Sequence, residues 1–505
     1  MFKQTGVPST TDVAIIGSGF SGLALAVELK RAGYDDFVVL ERAGDVAGTW
    51  RDNTYPGCAC DVPSHLYSFT FAPNPDWSST FSPQPEIYAY IRRVAEEQGV
   101  MPHIRFGVEA EAAAWDDDAK QWRLQTSGGE MTARAIASAA GPLSEPAIPD
   151  IPGLGDFQGA LFHSATWDHD HDLTGERVAV VGTGASAIQF VPQIQPKVAR
   201  LHVFQRTAPW IMPRPDRPIT KLERFIYKRF PATQIAMRNA IYWGRELYAV
   251  PMLHHRLSKL IERIGRRHLQ RQVKDRELRA KVTPDYSPGC KRILVSNDYL
   301  PSLTQPNVEV VIDGIAEVRE HSIVDRNGVE REVDTIILGT GFHVTDLPIA
   351  ERVRGRDGRT LAEHWDGTLQ ALRGTTVAGF PNLFFVLGPN TGLGHTSVVL
   401  MAEAQAGYIR QALEHIHAAG LAAIEPRQAA QDAWNEAIQR KSAGTVWLNG
   451  GCRSWYIDRN GKNSTLWPDH TFRFFAALKR FKPSEYHAIP ATTPAPEPTP
   501  IEVAA

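Results

Sequence analysis

The chain has 505 residues, more than one hydrophobic core organises, so two or three domains are expected. Its 54 Lys and Arg against 56 Asp and Glu give a formal net charge of −2, which excludes a global basic field for nucleic acid and leaves small molecules as the expected partners. Charged residues at 22% and hydrophobic residues at 43% are those of a soluble globular protein, and no run reaches the ~18 apolar residues of a membrane span.

The first ordered stretch, residues 12–16, is a short apolar run suited to a buried parallel strand. Gly17-Ser18-Gly19-Phe20-Ser21-Gly22 follows, then a helical pattern that stops at Gly33 and a second strand, 37–40, ending on Glu41. Glycines at this spacing let backbone and helix N-terminus approach a pyrophosphate, and the acid at the strand end accepts ribose hydroxyls. Their spacing marks the apolar run Val13 to Val27 as strand, turn and helix, not a targeting segment. Residues 47–61, with two glycines, a proline and two aromatics, predict a structured loop. Pieces from Ile104 to Ala139 predict an antiparallel meander on the first domain, closed by Gly141-Pro142 and the prolines at 146, 149 and 152.

A second unit opens with the strand 177–181 and the loop Gly182-Thr183-Gly184-Ala185-Ser186-Ala187. Glu41 lies 24 residues after Gly17; the same step from Gly182 reaches Arg206, followed by Thr207. A carboxylate there would repel a 2′-phosphate, whereas an arginine and a hydroxyl bind one, so the first unit is expected to hold FAD and the second NADPH. Residues 218–282 carry apolar residues at helical spacing among many Arg and Lys, a helical insertion whose charges are expected on the solvent side of packed helices, with membrane contact the lesser alternative. Beyond Cys290-Lys291-Arg292 strands resume through 308–311 and 333–338; a buried strand at 382–388 returns the chain to the first domain, and a helix spans about 398–418. After about Phe481 the composition predicts a disordered tail. Cys58, Cys60, Cys290 and Cys452 are too few for a disulfide framework and have no zinc-site or Cys-x-x-Cys spacing, so reduced thiols in a cytoplasmic protein are expected.

Two dinucleotide sites with no redox cysteine pair and no iron–sulfur or haem ligand set leave dioxygen as the electron acceptor. Reduced flavin and oxygen give a peroxide, and a site that keeps it deprotonated needs a fixed cation; Arg292 is the candidate. Three stretches converge on one family. Phe157-x-Gly159-x-x-x-His163-x-x-x-Trp167-Asp168 resembles the fingerprint of type I Baeyer–Villiger monooxygenases. The loop from Ala47 through Gly48, Trp50, Tyr55 and Pro56 to Asp61 is similar to the family's second signature at every fixed position. Asp334 to Phe342 resembles the strand end of flavin-containing monooxygenases, with Gly339 in an alanine's place.

The resemblance implies an α/β fold of two Rossmann-like domains and ketone oxidation to esters or lactones with NADPH and O2 through a flavin C4a-peroxide. The implied segments are 1–150 and 379–481 for FAD, 151–217 (with 157–168 as linker) and 290–378 for NADPH, 218–289 as insertion and 482–505 as tail. It further implies that Arg292 is catalytic and Asp61 orients it, and that Lys291 lies near the 2′-phosphate. His163 and Trp167 have conformational roles, Trp455 belongs to a loop closing over NADP, and Trp50, Tyr55 and Asn390 line the flavin pocket. An N- or S-oxygenating flavin monooxygenase and a non-catalytic redox-sensing flavoprotein remain the alternatives.

Overall fold

The computed structural model describes residues 6–491. Two sheets carry the two glycine loops. In the first, β1 (Thr10–Ile16) lies between β2 (Phe37–Glu41) and β6 (Gly129–Ser138), parallel to both, with α1 (Phe20–Arg31) crossing between β1 and β2. β1 and β2 read as continuous apolar runs because both their faces are covered: Val13, Ala14, Ile15 and Val39 are fully buried. Ile104–Phe106 (β3) extends this sheet beyond β2. On the other side β4 (Ala110–Asp116), β5 (Gln121–Thr126) and β6 form the expected antiparallel meander, and β5 alternates, with Trp122 and Leu124 inward and Arg123 and Gln125 outward.

The second sheet is wholly parallel, in the order β10 (Val308–Val311), β9 (Arg200–Phe204), β8 (Arg177–Val181), β11 (Thr335–Leu338), β7 (Ala160–His163). α2 (Ala187–Ile194) follows β8. A single apolar cluster runs through both units, joining Val13 and Leu25 of the first to Val178, Phe190 and Val203 of the second. The halves therefore share a core.

Four expectations change. The linker stretch 157–168 holds a strand the sequence did not mark: residues 160–163 are the edge strand of the second sheet, in register with Thr335–Leu338. Gly159 is required by packing, since a Cβ there would lie 2.2 Å from the Asp334 carbonyl. The return to the first sheet comes before residue 379, because β12 (Val353–Arg354) already pairs with β4, and β13 (Leu383–Phe385) then adds beside β6. The expected tail is ordered through 491: β14 (Leu421–Pro426) pairs antiparallel with β15 (Tyr486–Pro490), while 492–505 lie outside the described residues. Finally, only Cys58 and Cys60 are free thiols; Cys290 and Cys452 form a disulfide, so the reduced-thiol expectation fails for that pair.

The insertion is helical: α3 (Lys221–Arg229), α4 (Pro231–Leu253), α5 (Ser258–Gln272) and α6 (Arg276–Lys281). A Thr220–Glu223 capping box starts α3, a proline at the first position starts α4 and Asp275 caps α6. Most of its charges face solvent as expected, Lys228, Lys259, Arg263, Arg267 and Arg271 among them, but those of α4 do not. On α4, Glu246 is buried and Arg238 donates inward to the His65 carbonyl (2.6 Å), while Trp243 and Leu247 face solvent. No helix among the described residues is long and apolar enough to cross a membrane.

Candidate active site

The first loop is shaped partly by packing and partly for something outside the protein. A Cβ on Gly22 would stand 1.9 Å from the Gly17 carbonyl oxygen, and Gly17 holds φ +101° with the Ala139 carbonyl 2.9 Å from its would-be Cβ. Both glycines are therefore needed to seat α1 on β1. Gly19 is different: nothing in the protein comes closer than 4.0 Å to its would-be Cβ. Beside it α1 begins with no side-chain cap and no acid in its first turn, leaving free N–H groups at a positive helix end. That cradle fits a pyrophosphate. Glu41, 4% exposed, accepts from Ser18 N–H (3.0 Å), Ser18 Oγ (2.7 Å) and Arg51 Nη1 (3.1 Å), fixing a carboxylate at the strand end.

The second loop repeats the plan with different charge. Gly182 holds φ +110°, with the Gly339 carbonyl 2.4 Å from its would-be Cβ, while Gly184 is uncrowded. α2 is likewise uncapped behind Ser186, with no acid in its first turn. Thr183 Oγ1 donates to the Thr207 carbonyl (3.3 Å), tying the loop to the segment after β9. Arg206 there is exposed and has no ion-pair or hydrogen-bond partner among the described residues. Lys291 approaches it closely enough that burial, and then the Arg206 charge, hold the lysine below its usual pKa. Two adjacent unpaired cations fit a phosphate, and the residues present fit a 2′-phosphorylated dinucleotide.

Between the units stands the pair the sequence singled out. Arg292 Nε and Nη2 donate to Asp61 Oδ2 and Oδ1, both at 2.7 Å, across 231 residues of chain. Burial alone would raise the Asp61 carboxyl, but Arg292 outweighs it and holds the group below the usual carboxylate range. The Asp61 charge, against desolvation, holds the guanidinium above its ordinary value. The pair stays ionised through neutral pH. Arg292 Nη1 makes no hydrogen bond among the described residues, so the fork that Asp61 fixes keeps donors for an oxygen beside it.

The two signature stretches meet on α2. Tyr55 Oη and Ala59 N–H both donate to Gln189 Oε1, and Gln189 Nε2 donates back to the Ala59 carbonyl (2.9 Å). Phe190 packs against Tyr55 at 6.1 Å and against Trp167 at 5.2 Å, and Thr54 Oγ1 meets His169 Nε2 at 2.8 Å. A Cβ on Gly57 would lie 2.8 Å from the Gln189 carbonyl, so the loop 47–61 is pressed onto the second unit. Trp50 is buried and donates to Tyr67 Oη (3.0 Å), and Gly48 takes φ +48° against Gly19. His163, 3% exposed, accepts from Ala165 N–H (3.1 Å), and burial holds its pKa down, so it is neutral.

Asn390 and Trp455 lie on the return segment. Asn390, at φ +57°, donates its side-chain amide to the Asn463 carbonyl (2.7 Å). Trp455 is 44% exposed and packs edge-on against Tyr456 (4.3 Å). Sequence reasoning passed over Tyr456: it is 1% exposed, burial pushes its phenol up to about 12, and Arg292 pulls the other way. It also passed over Gln189 and the Cys290–Cys452 bond, which ties the Arg292 segment to the loop carrying Tyr456. The adjacency of Tyr456 to Trp455 was the one available signal.

Comparison with known proteins agrees with this geometry. The family pattern described as flavin-binding monooxygenase-like matches residues 10–354. A Baeyer–Villiger monooxygenase of Streptomyces coelicolor is 53% identical over 492 residues, covering 97% of this chain and 95% of that one. The crystal structure of cyclohexanone monooxygenase from Rhodococcus sp. Phi1 bound to NADP+ superposes with a TM-score of 0.85 at 28% identity, covering 96% of this chain and 100% of that one. A structure of OTEMO in complex with FAD and NADP gives 0.84 at 26% identity, with 95% and 99% coverage.

Proposed function

The chain belongs to the flavin-binding monooxygenase-like family, and on that premise we propose that it is an NADPH- and FAD-dependent Baeyer–Villiger monooxygenase converting ketones to esters or lactones. When bound, FAD reduced by NADPH supplies the oxygen-activating chemistry that puts one atom of O2 beside the ketone carbonyl, the other leaving as water. The first loop, through Gly17, Gly19 and Gly22, receives the FAD pyrophosphate, and Glu41 its ribose. Gly48, Trp50 and Tyr55 form the adjoining loop, with Asn390 and Trp455 on the return segment. Gly182, Thr183, Gly184 and Ser186 receive NADPH, and Arg206, Thr207 and Lys291 its 2′-phosphate.

One observation carries the ketone reading over N- or S-oxygenation: the bidentate Arg292–Asp61 pair with donors to spare. Oxygen attack on a carbonyl builds negative charge on oxygen, and a fixed, permanently charged donor stabilises that charge without reorganising. Oxidation of nitrogen or sulfur needs no such pair. Asp61 positions the guanidinium; His163 and Trp167, the latter packed on Phe190 whose ring also meets Tyr55 of the first unit, transmit relative motion of the units. We place the protein in the cytoplasm because NADPH is supplied there; cysteine usage no longer carries that assignment.

The test is purified protein with NADPH, isotopically labelled dioxygen and a panel of cyclic, linear and aryl ketones with one thioether. Labelled ester or lactone is expected. Labelled sulfoxide with no ester would assign the electrophilic chemistry instead.

A further inference from the structure

The helix α4 is built the wrong way out for a helical layer in water. Every exposed residue of α4 from 231 to 247 is uncharged, and the large ones, Ile235, Met237, Trp243 and Leu247, are 52%, 39%, 56% and 73% exposed. Its charged residues turn inward instead. Arg238 donates to His65 and Ser68, Arg245 is half-buried, and Glu246, 2% exposed, accepts from His470 and from Thr471 N–H. α3 and α5 each pack against α4 and carry exposed apolar residues of their own. Leu222 and Phe225 on α3 are 66% and 62% exposed, and Leu260 and Ile264 on α5 are each 55% exposed. Phe472, 40% exposed, lies beside Trp243 at 6.1 Å and carries the apolar surface past the insertion. Isolated exposed apolar side chains are ordinary; a run of them on three neighbouring helices marks a binding surface.

Charge decides what binds. Residues 218–282 hold 16 Lys and Arg against 5 Asp and Glu, a balance of +11 in a chain of net −2, which leaves −13 on the remainder. Basic residues interleave with the apolar ones along the turn before α5 and its first turns, where Arg256, Lys259 and Arg263 alternate with Leu257, Leu260 and Ile264 and all are exposed. A second copy meeting this face symmetrically would press two basic surfaces together. A nucleic acid would answer the charge but leave Trp243 and Leu247 unburied. An anionic lipid surface answers both, taking apolar side chains below the headgroups and Lys and Arg at their level.

We propose that α3, α4 and α5 form an interfacial docking surface that holds the enzyme on anionic membranes without crossing them. This is independent of the ketone reading. The test is co-sedimentation of the full chain with vesicles of phosphatidylcholine alone or mixed with phosphatidylglycerol, at low and high salt. Analytical ultracentrifugation without lipid runs alongside. Binding to the anionic vesicles that weakens with salt is expected, with binding to phosphatidylcholine alone weaker by roughly tenfold or more. Replacing Ile235→Asp, Trp243→Asp and Leu247→Asp together, or Arg256→Glu, Lys259→Glu and Arg263→Glu together, should lower anionic-vesicle binding by about tenfold or more. NADPH consumption with a small soluble ketone should stay unchanged in both. No vesicle binding by the parent chain, or a lipid-free dimer that the aspartate variant dissociates, would overturn the proposal.

Discussion

The two glycine-loop units share a strand, a turn and a helix, and differ in what surrounds them. In the first, α1 sits so close to its loop that a Cβ on Gly22 would stand 1.9 Å from Gly17; in the second, Ala187 occupies the corresponding place and is fully buried. The first ends its second strand on a buried carboxylate bonded to its own loop, and the second on an exposed arginine with no partner among the described residues. The first keeps two buried free thiols, with burial raising Cys58 to about 11, while the second spends its cysteine on a cross-link. The glycines common to both specify a pyrophosphate; the residue at the strand end specifies which nucleotide carries it.

That contrast is broken most severely at Gly22. Gly22→Ala places a methyl against a backbone oxygen that has no room to move, so the purified protein should lack the visible absorbance of bound flavin. Ala187→Gly, the converse change, should leave NADPH binding within about threefold, since it removes a contact at a helix start and forces nothing. The cross-link comes next. Cys452→Ser should lower unfolding stability by about 2–4 kcal/mol, read as a shifted denaturant midpoint. The denatured, unreduced parent chain should titrate two thiols of its four cysteines; four would contradict the bond.

At the strand end, Arg206→Ala and Lys291→Ala should each raise KM for NADPH by about ten- to a hundredfold and leave KM for NADH unchanged. Equal effects on both nucleotides would mean that the cations serve the loop and not the phosphate. The smallest effect expected is on pH dependence. His65 and His395 are held down to about 4 by burial, so the unfolded chain takes up protons first as pH falls. Their contribution to stability is intact above about 6.5 and declines through the window down to about 4. Tm should fall across that window, and His395→Gln should flatten the fall.

Much of this was legible because it is local. Glycine spacing, the acid or arginine 24 residues on, and the signature loop ending at Asp61 are all read within short stretches, while the need for a permanent cation calls for an arginine and the family resemblance picks out Arg292. What stayed hidden depends on tertiary contact. Cys290 and Cys452 are 162 residues apart, and nothing in their neighbours marks a pair. β7 is four residues long behind a glycine, which reads as a linker until β11 pairs with it. Helical periodicity on α4 separates two faces without saying which is covered, and the charged one lies inside because Arg238 and Glu246 find backbone and side-chain partners there.

The central claim is that Arg292, fixed by Asp61, stabilises charge on the reacting oxygen. Its most direct test is Arg292→Ala, with flavin reduction by NADPH followed by stopped flow and ester followed from a ketone in the same preparation. The account predicts reduction close to that of the parent and ester formation lower by about a hundredfold or more. Ester formation within a few fold of the parent would contradict it.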